Sequence, residues 1–262
     1  MAFKEQLACA KFAALSAAKV IMEIYDNNSM EVTIKEDDSP VTQADIAADK
    51  LITDILKQNY PDYAFLTEES SDDKSRLTND YVWVVDPIDG TKDFIKRTGE
   101  FTINIALVYK RRPVVGVVAI PAKNEMYFAS EGNGAYYQSN DRIEKIHAND
   151  DDKDLLAFRS RFHYGDTERN YYESHDDLVK EVITVGSSIK ACHIAHGLAH
   201  VYAKLTNGTK EWDIAASDII VKEAGGLFVK PNGTTILYNR DDVYNRDGFI
   251  VMNKLHEKLL VK

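Results

Sequence analysis

Apolar positions recur at helical spacing near the N-terminus, where MAFKEQLACAKFAALSAAKVIMEIYD predicts an amphipathic helix to about Tyr25. Its charges at Lys4, Glu5, Lys11, Lys19 and Glu23 argue against a signal peptide. The polar stretch Asp26–Pro40 alternates enough over Met30–Lys35 for a short strand or hairpin arm. Ser39-Pro40-Val41-Thr42 then leads into a second helix, about Gln43 to Asn59, with Ile46, Leu51, Ile52, Ile55 and Leu56 at helical spacing and Pro61 closing it. Ala64–Leu66 reads as a short strand, and Tyr81–Val85 as a continuous apolar strand buried on both faces. Strands over Thr102–Tyr109 and Val114–Ile120 flank a hairpin at Lys110-Arg111-Arg112-Pro113. Two more, Glu125–Ser130 and Gly134–Gln138, are joined through Glu131-Gly132-Asn133-Gly134.

The acidic segment Asn149–Asp154 marks a subdomain boundary, so residues 1–150 read as an N-terminal α+β unit and 151–262 as a C-terminal α/β unit. Beyond it the pattern predicts a strand at Leu155–Arg159, a polar helix or loop at Asp166–His175 and a strand at Ile183–Val185. Helices are expected over Ile189–Leu205 and Asp213–Ala224, the latter capped by Gly225-Gly226. A strand at Phe249–Met252 and a short helix at Lys254–Leu260 end the chain. Hairpins mixed with strand–helix units imply stacked layers of helix and sheet.

Composition narrows the field. With 262 residues, 44% of them hydrophobic, the chain buries a sizeable core without disulfides. Lys+Arg 32 against Asp+Glu 42 leaves a net charge of −10, which excludes a nucleic-acid wrapping surface. No apolar run is long enough for a membrane span. Cys9 and Cys192 read as buried reduced thiols, and a cytoplasmic location is expected.

The chemistry gathers at Asp86-Pro87-Ile88-Asp89-Gly90-Thr91. Two carboxylates three apart stand where a buried strand ends, and Thr91 opens a helix behind a flexible Gly90. Carboxylates beside a helix start suit a hard divalent cation shared with a phosphate. The same residues also suit an ordinary surface turn. Glu68-Glu69-Ser70, after a short strand, is either a ligand source or a solvated loop, and Asp213 either a ligand or a helix cap. His193, His196 and His200 share one face of the expected helix, but lack the Glu of a zinc-protease motif and read as structural.

Taken together, Ser39–Asp45, Glu68-Glu69, Asp86–Thr91 and Trp212-Asp213 resemble the Mg²⁺-dependent, Li⁺-sensitive phosphatases of the inositol monophosphatase superfamily, in the right order over nearly the whole chain. Within it, DPIDGTKDFIKRTGEFTINIALV, Ser160-Arg161-Phe162-His163 and Gly186-Ser187-Ser188-Ile189-Lys190 look like the CysQ-type 3′(2′),5′-bisphosphate nucleotidases. The resemblance implies an α+β layered αβαβα sandwich and two or three Mg²⁺ ions held by Glu68, Asp86, the Ile88 carbonyl, Asp89 and Asp213. It implies that Thr91, with Asp45 and Glu68, activates water, and that the backbone of Gly90 and Thr91 holds the scissile phosphate. Ser160, His163, Ser187 and Lys190 would grip the rest of a small phosphorylated nucleotide. The implied reaction is removal of the 3′-phosphate of adenosine 3′,5′-bisphosphate, and its sulfated form is a further candidate. Alternatives are an inositol-1-phosphatase and a catalytically inactive metal- or nucleotide-binding regulator. No nucleic-acid or membrane partner is expected, and the chain would be a monomer or homodimer.

Overall fold

Small side chains set the first layer. In a computed structural model, which describes residues 3–27, 32–34 and 40–261, helix α1 (Lys4–Asp26) buries Ala10, Ala13, Ala14, Ala17 and Ile21 along one stripe. Alanines there let α2 (Gln43–Asn59) pack closely through Ala44, Ala48, Ile52 and Leu56. Between them a short antiparallel pair, β1 (Val32–Ile34) and β2 (Pro40–Thr42), lies within the segment expected to hold a strand. Met30 and Lys35, the bounds of that expectation, fall outside the described residues.

A seven-stranded sheet forms the second layer. Its strands are β3 (Ala64–Thr67), β4 (Tyr81–Asp89), β5 (Thr102–Tyr109), β6 (Arg112–Ile120), β7 (Glu125–Ser130), β8 (Ala135–Ser139) and β9 (Arg142–Ile146), in that order across the sheet. Only β3 and β4 run parallel. Alternation along β4 and β5 sends Trp83, Val85, Ile103, Ile105 and Leu107 toward α1 and α2, and Val82, Val84, Ala106 and Val108 to the opposite face. Both faces are covered, so these strands read as unbroken apolar runs.

That opposite face meets a middle layer of two helices, Ile189–Ala195 and Glu211–Glu223, and beyond it a five-stranded sheet. The chain enters this sheet by β10 (Leu155–Ser160), crosses α4 (Asp166–Glu173), and returns by β11 (Val179–Val185), which pairs parallel with β10. Then follow α5 (Ile189–Ala195), β12 (Val201–Lys204), α6 (Glu211–Glu223), β13 (Leu227–Val229) and β14 (Phe249–Met252). The strand order is β11-β10-β12-β14-β13. Tyr171 and Tyr172 of α4 pack with Leu155, Ala157, Val201 and Ile250 on the outer face. The layers are therefore helix, sheet, helix, sheet, helix, the αβαβα sandwich.

The structure departs from the sequence pattern at several points. The helix expected over Ile189–Leu205 ends at Ala195, and Gly197 turns the chain at φ 74 so that Val201–Lys204 slots between β10 and β14 as a strand. His193, His196 and His200 consequently do not share a helical face: His200 Nδ1 instead accepts from the Leu156 N–H at 2.8 Å. Arg112 and Pro113 belong to β6, and the turn is Lys110-Arg111 alone, with φ of 46 and 65 as a two-residue hairpin turn requires. Strand β4 continues past Val85 to Asp89. The last helix shrinks to a 3₁₀ turn at Glu257–Leu259. Strand β9, at the sheet edge with mostly exposed residues, carries no apolar run that would announce it. Cys192 is buried, whereas Cys9 is only half-buried; both are free thiols.

Candidate active site

Strand β4 builds the site by losing its register. Asp86 pairs with Asn104 and Asp89 with Thr102, and the ladder slips between them, where Pro87 has no N–H to donate. The slip turns Asp86 inward, almost fully buried, with Oδ1 accepting from the Ile88 N–H at 3.1 Å. Gly90 then takes φ 92 and opens the one-turn helix α3 (Thr91–Ile95), its carbonyl accepting from the Phe94 N–H. The Glu68 N–H donates to the Val85 carbonyl at 3.2 Å, which sets Glu68 beside the same strand end.

Asp89 is held from a distant part of the chain. Its Oδ2 lies 2.7 Å from the Ser188 hydroxyl and 3.4 Å from the Thr102 hydroxyl. Ser188 Oγ also lies 2.9 Å from the Asp213 carbonyl and accepts from Asn104 Nδ2 at 3.0 Å. Asp213 sits in the first turn of α6, where its Oδ2 accepts from the Lys210 N–H at 2.8 Å. It therefore caps the helix with one oxygen, and the residue borders the cavity.

Asp45 makes a similar cap on α2, accepting from the Thr42 N–H at 2.8 Å and the Thr42 hydroxyl at 2.5 Å. Its Oδ1 lies 3.4 Å from the Thr91 hydroxyl, which has a second acceptor in the Ile88 carbonyl at 3.3 Å. Burial, opposed by the Thr42 hydrogen bonds, pushes the Asp45 carboxyl up to about 6.

A cavity of about 560 Å³ opens above this floor. Glu68, Asp89, Gly90, Thr91 and Asp213 line it, and so do Ser160, His163, Ser187 and Lys190. Asp45, Asp86 and Ile88 lie behind the wall and do not border the cavity. The Lys190 ammonium is buried, donating to the Val185 carbonyl at 3.2 Å and the Ser187 carbonyl at 2.5 Å, 4.9 Å from the centre of the Tyr202 ring. Burial lowers its pKa to about 8, against the pull of Asp89, Asp93 and Glu100. Desolvation, then the Lys92 and Lys204 cations, lower the His163 pKa, so this imidazole offers a hydrogen bond more than a charge.

The carboxylates strain against one another. Burial, then the charges of Glu68, Asp89, Asp213 and Asp45, raise Asp86 well above the ordinary carboxylate range. Asp213 is raised likewise by burial, Asp89 and Glu68. Among the described residues no three acidic, His or Cys side chains form a closed metal cage. Mg²⁺ does not need one, since it binds through one or two carboxylates, waters and substrate phosphate oxygens. Buried oxygen donors of one sign, with their charge uncompensated by burial, fit such an ion in chemistry and charge.

The chain matches the inositol monophosphatase family model over residues 4–262. It belongs to the inositol monophosphatase family. A 3′(2′),5′-bisphosphate nucleotidase CysQ from Salmonella typhimurium is 38% identical over 240 residues, 91% of this chain and 96% of that protein. The crystal structure of CysQ from Bacteroides thetaiotaomicron superposes with a TM-score of 0.84 at 36% identity, covering 96% of this chain and 98% of that one. A Nus factor SuhB from Pasteurella multocida is 33% identical over 84% of this chain and 83% of its own length.

Sequence reasoning gave no role to Ser188 and Thr102, which hold Asp89, or to Asn104, which holds Ser188; Ser188 also lines the cavity. Asn104 had a signal, a polar residue inside the apolar run TINIALVY; Ser188 stood in the Gly186–Lys190 motif, but its bond to Asp89 had no signal, because that partner lies on another sheet.

Proposed function

We propose that the protein adds water to the 3′-phosphate ester of adenosine 3′,5′-bisphosphate, releasing AMP and inorganic phosphate, with Mg²⁺ as cofactor. The observation that carries this reading is one cavity lined by two unlike sets of residues: carboxylates with Gly90 and Thr91, and Lys190 with the hydrogen-bonding side chains of Ser160, His163 and Ser187. A monophosphate would use only the first set. A substrate with a second phosphate engages both. The similarity to CysQ proteins supports the same reading.

Glu68, Asp86, the Ile88 carbonyl, Asp89 and Asp213 are the residues that would hold two or three Mg²⁺ ions. Bound there, Mg²⁺ lowers the pKa of water and neutralises phosphate charge. The residues themselves do the rest. Thr91 orients the attacking water through its hydroxyl, and Asp45 and Glu68 are the acceptors for its proton. The backbone amides of Gly90 and Thr91 bind the scissile phosphate, while Lys190, Ser187, Ser160 and His163 hold the distal phosphate and sugar. No covalent phosphoenzyme is needed for in-line attack.

Phosphate release from adenosine 3′,5′-bisphosphate, its 5′-phosphosulfate counterpart and inositol 1-phosphate, each with Mg²⁺, tests the reading. The bisphosphate is expected to exceed inositol 1-phosphate in kcat/KM by about tenfold or more, the weight of one extra charge-assisted contact. Equal or reversed efficiencies would favour an inositol phosphatase, and no release from any substrate would favour a non-catalytic binding protein.

A further inference from the structure

Arg161 stands between two residues of the cavity wall, Ser160 and Phe162, yet is not itself part of that wall. Its guanidinium reaches Glu100 and the cavity-lining Asp93, on the loops of the other sheet. Nη2 donates to Glu100 Oε2 at 2.5 Å, and Nε lies 3.3 Å from Asp93 Oδ1. The same Glu100 oxygen accepts the Gly186 N–H at 2.7 Å. Gly186 is pressed flat on this residue: a Cβ there would meet the Glu100 carbonyl oxygen at 2.7 Å and Glu100 Cβ at 2.8 Å.

Two turns thus meet at one carboxylate. Beyond Gly186 the chain passes through Ser187 at φ 44, whose carbonyl receives the Lys190 ammonium. From the metal side, Gly90 leans on the same surface, with a notional Cβ 3.4 Å from both the Glu100 carbonyl oxygen and Ser187 Cβ. Glu100 is itself braced, its N–H donating to the Thr98 hydroxyl at 3.2 Å while that hydroxyl donates to Asp93 Oδ1 at 2.7 Å. An isolated surface ion pair stabilises little. This pair differs because its carboxylate also holds a backbone N–H in a turn that lines the cavity.

We infer that Glu100 and Arg161 are positioning residues: together they clamp the Gly186–Ser187 turn against the Gly90 turn and so set where Ser187 and Lys190 stand relative to the Gly90–Thr91 amides for a substrate with two phosphates. The inference rests on the two-phosphate reading above. Small displacements of bound groups are costly in rate, so a loosened clamp weakens the long substrate and spares a short one that never reaches Ser187 or Lys190.

The full-length protein with Mg²⁺ is compared with its R161A, E100A and E100Q variants. Measured are kcat and KM for adenosine 3′,5′-bisphosphate and for phenyl phosphate, together with hydrogen exchange of the Gly186 amide. R161A and E100A are expected to raise KM for the bisphosphate about tenfold and leave kcat for phenyl phosphate within about twofold. Gly186 exchange accelerates in both. E100Q keeps an acceptor for the Gly186 N–H and recovers part of the KM and the protection; with R161A it keeps the test alive should E100A fold poorly. Unchanged KM and exchange, equal losses on both substrates, or E100Q no better than a folded E100A would overturn the clamp. If the wild type releases no phosphate from the bisphosphate, the functional reading fails on its own. The Gly186 exchange then decides the clamp, faster exchange supporting it and unchanged exchange overturning it.

Discussion

Thr91 and Lys190 make opposite demands on kinetics, and this separates their roles. Thr91→Ala removes a hydroxyl placed between Asp45 and the Ile88 carbonyl and leaves the backbone amide in place. We expect kcat to fall by about 10²–10³-fold with KM nearly constant, the mark of a contact made in the transition state. A raised KM at constant kcat would instead make Thr91 a binding residue. Lys190→Ala should raise KM for the bisphosphate about tenfold and leave phenyl phosphate turnover intact, and equal effects on both would remove Lys190 as the contact of a second phosphate. The pH dependence follows from its lowered pKa of about 8. Below that value the ammonium is charged and attracts phosphate; above it the charge is lost, so KM for the bisphosphate rises as pH climbs past about 8. The sign for stability is opposite, because a folded state that holds this proton less tightly than the unfolded chain gains as pH rises toward the ordinary Lys range. Steady-state kinetics from pH 6 to 9 on wild type and Lys190→Ala would reveal the trend, and a profile that is the same in both would reassign it.

At the scale of elements, helix α6 matters because it brings Asp213 to β4. It does so by lying directly on β5 and β6, and Gly116 of β6 makes that approach possible. A Cβ at this position would stand 2.3 Å from the Ala216 carbonyl oxygen and 2.5 Å from Ile219 Cγ2, both on α6. Gly116→Ala should therefore push the helix off the sheet, destabilise the protein by about 2–3 kcal/mol and lower activity with it. Thermal unfolding and turnover measured together would check this, and a variant with unchanged Tm would mean the layer yields easily. Elements also mark where local pattern stops being informative. Residues Ile189–Leu205 carry apolar positions at helical spacing, yet Val201–Lys204 form a strand, since a vacant slot between β10 and β14 outweighs a weak local preference.

For the whole molecule, the cost of the site is electrostatic. Asp45 is raised to about 6, and Asp86 and Asp213 well above the ordinary carboxylate range, chiefly by burial. In the metal-free protein these groups contribute stability that is fully present below the ordinary carboxylate pKa and is lost as pH rises through their folded values. A bound cation would offset that loss. Unfolding followed at pH 5 and pH 7, in EDTA and in Mg²⁺, should show a larger Mg²⁺-dependent rise in Tm at pH 7 than at pH 5. An equal rise at both would indicate that the carboxylates are not the cation's ligands.

Most of the elements, and the acidic residues of the candidate site, are legible in the chain's local pattern. The run of apolar residues in β4, the Asp-Pro-Ile-Asp-Gly-Thr turn after it and the helix periods of α1, α2 and α6 are local signals, since strand ends, proline, glycine and caps act over a few residues. The candidate wall residues Ser160, His163, Ser187 and Lys190 were likewise visible as motifs. Only the tertiary structure decided how they meet. It hides Asp45, Asp86 and Ile88 behind the cavity wall, buries the Lys190 ammonium among carbonyls, and joins Asp89 to Ser188 from the loop after β11. It also brings Arg161 onto Glu100 and Asp93. These contacts span up to 99 positions along the chain, and their partners are chosen by how two sheets and a helical layer pack, which no local pattern encodes.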